Sequence, residues 1–332
     1  MSVKIDSVAT YLPKKILLSE EFFNSVGLYR DYGIRDDWMD EKMGIHERRA
    51  APLNTKPSTL AIRAAEKALR AADIDKSDIG AVYYCGMERD QIEPATAHTI
   101  NHELELSANC VLDISNACFG FFDGIEIASA KIESGYIDAA LIVTGETQSL
   151  LRDKLTELIE FGVDKKDLLN FLGFYSLGDA GAAMVLTKSD DERGFKFFSH
   201  YTKSNHRGKC YYNHKTDGGV VAKMDMPRMV ANGFRMQQEM LRPTLERANC
   251  ESFDWLLTHQ TGIKNYEQTC DMNAAPREKV VKTFDRLGNV TSATLPVTMN
   301  RAFEDGRLKR GDKIGGFFAG SGLIVGQFLY QN

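Results

Sequence analysis

Three residues far apart in this sequence of 332 are of the types that perform nucleophilic catalysis: Cys118, His259 and Asn289. Cys118 lies in the run VLDISNACFGF (111–121), where a β-rich stretch ends in small polar residues and a helix should begin. A thiol at a buried helix start meets unpaired backbone N–H groups and the positive end of the helix dipole. Both lower its pKa and favour the thiolate. Standing alone, a cysteine in such a turn is usually a small core residue. His259 directly follows an apolar run in DWLLTHQTG (254–262), and Asn289 sits in a Gly/Ser/Thr turn in LGNVTSATLP (287–296). Strand ends of an open α/β sheet are where ligand sites assemble. Each of these two residues also has an ordinary reading, as a satisfied core histidine and a turn-forming asparagine.

The elements that must position these residues alternate between strand and helix. Ser58 to Ala72 has leucines and alanines at helical spacing, with Ser58 as its N-cap after Pro57. Ala81 to Gly86, Asn109 to Ile114, Ala139 to Gly145 and Gly181 to Thr187 read as strands. A helix is expected to open at Glu93-Pro94, with proline at the favoured first position, and another to run from about Cys118 to Ser134. After the polar break SDDERG (189–194) the alternation resumes. Strand Trp255 to Leu257, a helix after Gly262 and a strand-turn-strand from Lys313 to Tyr330 follow. This predicts an α/β protein of two halves, 1–190 carrying the cysteine and 191–332 carrying the histidine and asparagine. Arg207 to Gly219, rich in Gly, Lys, Tyr and Asn, reads as a surface excursion or a pocket lid.

Bulk composition narrows the function classes. The chain is 43% hydrophobic and 26% charged, with a formal net charge of -5, which leaves no electrostatic footprint for nucleic acid. Neither a signal peptide nor an apolar membrane span is expected. The six cysteines form no CxxC pair and no metal-ligand spacing with histidine, so reduced thiols in a cytoplasmic protein without a metal are expected.

The order Cys118, His259, Asn289 and their flanking motifs resemble the β-ketoacyl-acyl-carrier-protein synthase III group of the thiolase superfamily. The likeness extends through Asp37-Trp38, MGIHERR (43–49), LGDAGAA (177–183), Gly311-Asp-Lys and Gly320-Ser-Gly322, nearly the whole chain. It implies a thiolase-like five-layered αβαβα fold of two pseudo-repeated halves, and a homodimer. It also implies acyl-CoA or acyl-carrier-protein thioesters as substrates, with no cofactor. The Cys118 sulfur would accept the acyl group in a ping-pong reaction, with the backbone N–H groups of Cys118 and Gly322 as oxyanion hole. His259 and Asn289 would stabilise the enolate of the second thioester.

Glu93 stands where the chain-initiating enzymes carry a pocket aromatic from the partner subunit. A glutamate there resembles the bacterial olefin-pathway enzymes that join two fatty acyl thioesters head to head. In them this carboxylate is the base for α-carbon deprotonation. The competing reading of Glu93 is a helix cap. Trp38 resembles the adenine-stacking residue for coenzyme A, and Lys264 a basic residue near the carrier-docking face, joined by Lys309 and Arg310. Each also fits a plain surface role. Gly262 departs from the family's HQAN, which alters the hydrogen bonding beside His259. Two alternatives stay open: transfer of the acyl group to an oxygen or nitrogen nucleophile, and a catalytically silent subunit of a heterodimer.

Overall fold

The computed structural model describes residues 2–214 and 220–332. The first half contributes β1 (Ser2–Tyr11), β2 (Lys15–Leu18), β3 (Glu47–Ala50), β4 (Ile79–Tyr84), β5 (Cys110–Asp113), β6 (Ala139–Glu146) and β7 (Ala180–Ser189). The second contributes β8 (Gly194–Thr202), β9 (Cys210–His214), β10 (Val220–Met224), β11 (Trp255–Thr258), β12 (Lys313–Gly320) and β13 (Ile324–Gln331). The order β11-β12-β13-β8-β1-β7-β6-β4-β5 makes one nine-stranded sheet, with the halves meeting at β1 and β8 through the Val3–Phe195 pair.

Helices cover this sheet on both sides and fill its fold. Pro57–Ala71 packs on the outer face of β1, β6 and β7, and Met226–Ala248 on that of β13 and β8. Gly120–Glu133 and Thr294–Glu304 touch each other between the two halves. The result is the expected αβαβα layering. Period-two alternation explains why β4 serves two cores: Ala81 and Tyr83 face the central one, Val82 and Tyr84 the outer one.

The central core is aromatic where the halves meet. Phe119 stacks on Phe122 at 4.4 Å between ring centroids, Phe122 meets Phe328 at 5.8 Å, and Phe328 stacks on Phe318 at 6.0 Å. Phe119 follows Cys118 in the chain. Phe317, the neighbour of Phe318, accepts the His259 backbone N–H at 2.8 Å. A column of rings therefore spans from the cysteine to the strand beside the histidine.

Two helix starts differ from the sequence expectation. Pro57 occupies the first turn and Lys56 the cap position, while the Ser58 N–H and hydroxyl both donate to Asp90, at 3.0 and 2.6 Å. The helix expected at Glu93-Pro94 begins at Thr96 and runs to Glu103. Its first N–H groups, those of Thr96 and Ala97, donate to the Asp113 carboxylate at 2.9 Å each. A carboxylate at the end of β5 thus satisfies this helix start, and Glu93 lies in the preceding loop. The long helix Met226–Ala248, which runs through Pro243, was not foreseen. The segment read as an excursion or lid is the β9–β10 hairpin, with residues 215–219 outside the described residues. Among the described residues no helix is long and apolar enough to cross a membrane.

Candidate active site

The sharp turn after β5 sets Cys118. Asn116 leads into Ala117, whose φ of 49° is an uncommon left-handed value for a residue with a side chain, and a short 3-10 turn then presents Cys118. Gly320 of β12 packs directly on this turn. A Cβ built there would lie 2.8 Å from Phe119 Cβ, so only glycine lets the C-terminal loop approach the cysteine.

His259 sits just past β11 and is buried. Its carbonyl accepts from Asn265 Nδ2 at 2.6 Å. Gly262, three residues on, has a φ of 140° and faces the Met43 carbonyl, 2.9 Å from where a Cβ would lie. A side chain such as the family's Asn is disfavoured there, and the amide hydrogen bond beside His259 comes from Asn265 on the next helix. Gln260 ties the following loop, accepting the Thr283 and Phe284 N–H groups at 2.8 and 3.0 Å.

Asn289 is held on three sides. Its N–H donates to the Ser176 carbonyl at 2.9 Å, its carbonyl accepts from Gly178 at 3.1 Å, and its Oδ1 accepts from Thr291 N–H at 2.9 Å. With the side-chain oxygen engaged, the amide NH₂ is the group left for a ligand. Arg48 of the MGIHERR run is buried behind this turn and donates to Ser19 Oγ at 2.6 Å.

Cys118, His259 and Asn289 line one cavity of about 100 Å³. Its walls are mostly apolar, including Met224, Met226, Met229, Phe234, Phe317 and Leu323, with Gln237, Thr261 and Ser321 among the polar ones. Cys210 of the lid hairpin faces the same space. Met224, Met226, Val230, Thr261 and Asn265 also line a larger outer cavity of about 630 Å³, which holds Trp38 and Lys264. Trp38 stacks on Phe23 at 6.1 Å. Gly322, with a φ of 139°, lies between the cavity residues Ser321 and Leu323.

The remaining sequence candidates lie elsewhere. Glu93 is exposed, next to an Ile92 that is 97% exposed. Arg310 pairs with Asp191 at 3.1 Å in a different surface hollow, so it does not join Lys264. The expectation of a depressed thiol pKa is also overturned. Burial pushes the Cys118 thiol up, with Cys210 and Glu146 adding to the shift. Burial pushes His259 down to about 4. Desolvation outweighs the helix start, and it favours the uncharged forms of both the thiol and the imidazole.

Residues 112–205 match the 3-oxoacyl-[acyl-carrier-protein (ACP)] synthase III model, and residues 245–331 match its C-terminal model. The acyl-CoA:acyl-CoA alkyltransferase of Shewanella oneidensis is 31% identical over 338 residues, 97% of this chain and 96% of the relative. That of Xanthomonas campestris is 30% identical over 309 residues, 89% and 88% of the two chains. The chain belongs to the 3-oxoacyl-ACP synthase III family. Cerulenin-bound OleA of X. campestris superposes with a TM-score of 0.94 at 28% identity, covering 100% of this chain and 97% of the other. Other solved OleA forms carry single substitutions at a cysteine, a histidine or a glutamate. As a member of this synthase III family, the protein is an acyl-thioester Claisen-condensing acyltransferase.

Glu146 escaped the sequence reading. It ends a fully buried strand, and the sequence offered no cue beyond an acidic residue after an apolar run.

Proposed function

We propose that this synthase joins two acyl thioesters head to head, without decarboxylation, as a cytoplasmic homodimer. Cys118 attacks the first acyl carbonyl. The carrier thiolate leaves with the cysteine proton, and the acyl group stays on sulfur. The backbone N–H groups of Cys118 and Gly322 hold the tetrahedral oxyanion. The second thioester loses an α-proton to Glu93 of the partner subunit. His259 and Asn289 donate hydrogen bonds to the resulting enolate oxygen. The enolate carbon attacks the Cys118 acyl carbonyl, the sulfur leaves as thiolate, and the Glu93 proton returns to it. The product is a β-ketoacyl thioester. Protein side chains and the two substrates suffice for each bond made and broken.

One observation carries the head-to-head variant: Glu93 does not cap its helix, because Asp113 does. It stands instead on an exposed loop beside an exposed isoleucine, the setting of a residue that completes a neighbouring subunit's site. The named acyl-CoA:acyl-CoA alkyltransferases among the relatives support the same variant. The methionine-rich walls suit flexible acyl chains. Trp38 and Lys264, at the outer cavity, are the groups proposed to take the coenzyme A or carrier end.

The test is mass spectrometry of the protein mixed with acyl-CoA, followed by product and carbon dioxide assays after a second acyl-CoA or malonyl-CoA. Glu93→Ala is expected to acquire the Cys118 acyl adduct yet lose coupling by about a hundredfold or more. Unchanged coupling, or a requirement for malonyl-CoA with carbon dioxide release, overturns the proposal.

A further inference from the structure

Glu146 ends β6 fully buried, and no step above uses it. Its carboxylate accepts from the Met87 N–H at 3.3 Å, Thr144 Oγ1 at 3.2 Å, Gln148 Nε2 at 3.1 Å and the Ser292 hydroxyl. Thr144 and Ser292 also share a hydrogen bond of 2.7 Å. Ser292 belongs to the turn that holds Asn289, and Met87 begins the loop that carries Glu93. We infer that Glu146 is a positioning residue that clasps the Asn289 turn to the Glu93 loop, so one carboxylate sets both groups that handle the second thioester. This rests on the roles given to Asn289 and Glu93 in the proposed function.

The chemistry of the donors makes the clasp depend on protonation. The Met87 and Gln148 nitrogens can only donate, whereas the two hydroxyls can turn. The carboxyl group, Thr144 and Ser292 make three mutual contacts, and an ionised carboxylate leaves only the two hydroxyl protons to fill them. A protonated one supplies the third, donating to Ser292 while Ser292 donates to Thr144 and Thr144 back to Glu146. The titratable groups facing Glu146 are Tyr84 and Cys85 at the end of β4, Glu88 in the loop, Cys118 in its turn and Tyr212 from the lid. None of them is a cation. Burial raises Glu146 to about 7, while the Ser292 hydrogen bond holds it down. The clasp is thus fully paired below that pH and loses one hydrogen bond as pH rises through it.

The decisive measurement is single-turnover coupling of pre-acylated enzyme with a second acyl-CoA, followed across neutral pH beside the rate of Cys118 acylation. Wild-type coupling is expected to fall on the alkaline side of about 7, with no matching fall in acylation. Glu146→Gln should erase that limb and slow coupling roughly tenfold more than it slows acylation, the scale of a modest misplacement. Ser292→Ala, which leaves the carboxylate in place but removes a donor, should move the limb to higher pH. A limb that persists in Glu146→Gln or stays put in Ser292→Ala overturns the inference, as does an equal loss in both half-reactions. Failure of the Glu93 assignment would register separately, as intact coupling in Glu93→Ala.

Discussion

The turn around Cys118, His259 and Asn289 and the loop around Glu93 are built on opposite plans. In the first, backbone groups are hydrogen-bonded, buried neighbours such as Phe119, Gln260 and Val290 pack around the three residues, and all three line one cavity. In the second, hydrogen bonds fix the two ends, through Met87 and the Asp113-capped helix, while Ile92 and Glu93 between them point into solvent. The difference teaches that the residues proposed for acyl capture are brought together within one chain. The group proposed for carbon acidification is presented outward, as a residue offered to another copy.

Breaking the packed side should have the largest effect. Cys118→Ala is expected to abolish both the acyl adduct, by intact-protein mass, and coupling, by at least about a thousandfold. The next test addresses the outward loop. Mixing Cys118→Ala with Glu93→Ala chains, each inactive in coupling, should restore roughly a quarter of wild-type coupling. Half the dimers are then mixed, and each mixed dimer holds one intact site. No recovery after confirmed subunit exchange would mean that Glu93 serves its own chain. The smallest effect belongs to the anchor of that loop. Asp113→Ala removes the carboxylate at the Thr96 helix start and should lower stability by about 1 kcal/mol, read from the denaturant midpoint.

The packed side was largely legible in the sequence. Cys118, His259 and Asn289 each follow or precede an apolar run, so strand ends alone suggested a shared edge, and the flanking motifs resolved the rest. Their ionisation was not legible. The helix start argues for a thiolate, but burial outweighs it, with Cys210 and Glu146 from other segments adding to the shift. Glu93 was ambiguous for a local reason: an acidic residue before proline is also the signature of a helix start. The residue that takes the helix-start N–H groups, Asp113, lies on a neighbouring strand with nothing in the local pattern to mark it. Glu146 was missed because clasps are made in space, between segments that share no sequence period.

The column of rings from Phe119 to Phe318 acts as a gauge block between the two reactive banks. The sulfur hangs from one end and the strand beside the imidazole's own from the other, so stacked aromatics, which compress little, help set the spacing of the two banks. Tolerance in this catalyst is therefore a property of its hydrophobic interior. Shaving one ring would detune the spacing of the two banks well before it unfolded the chain.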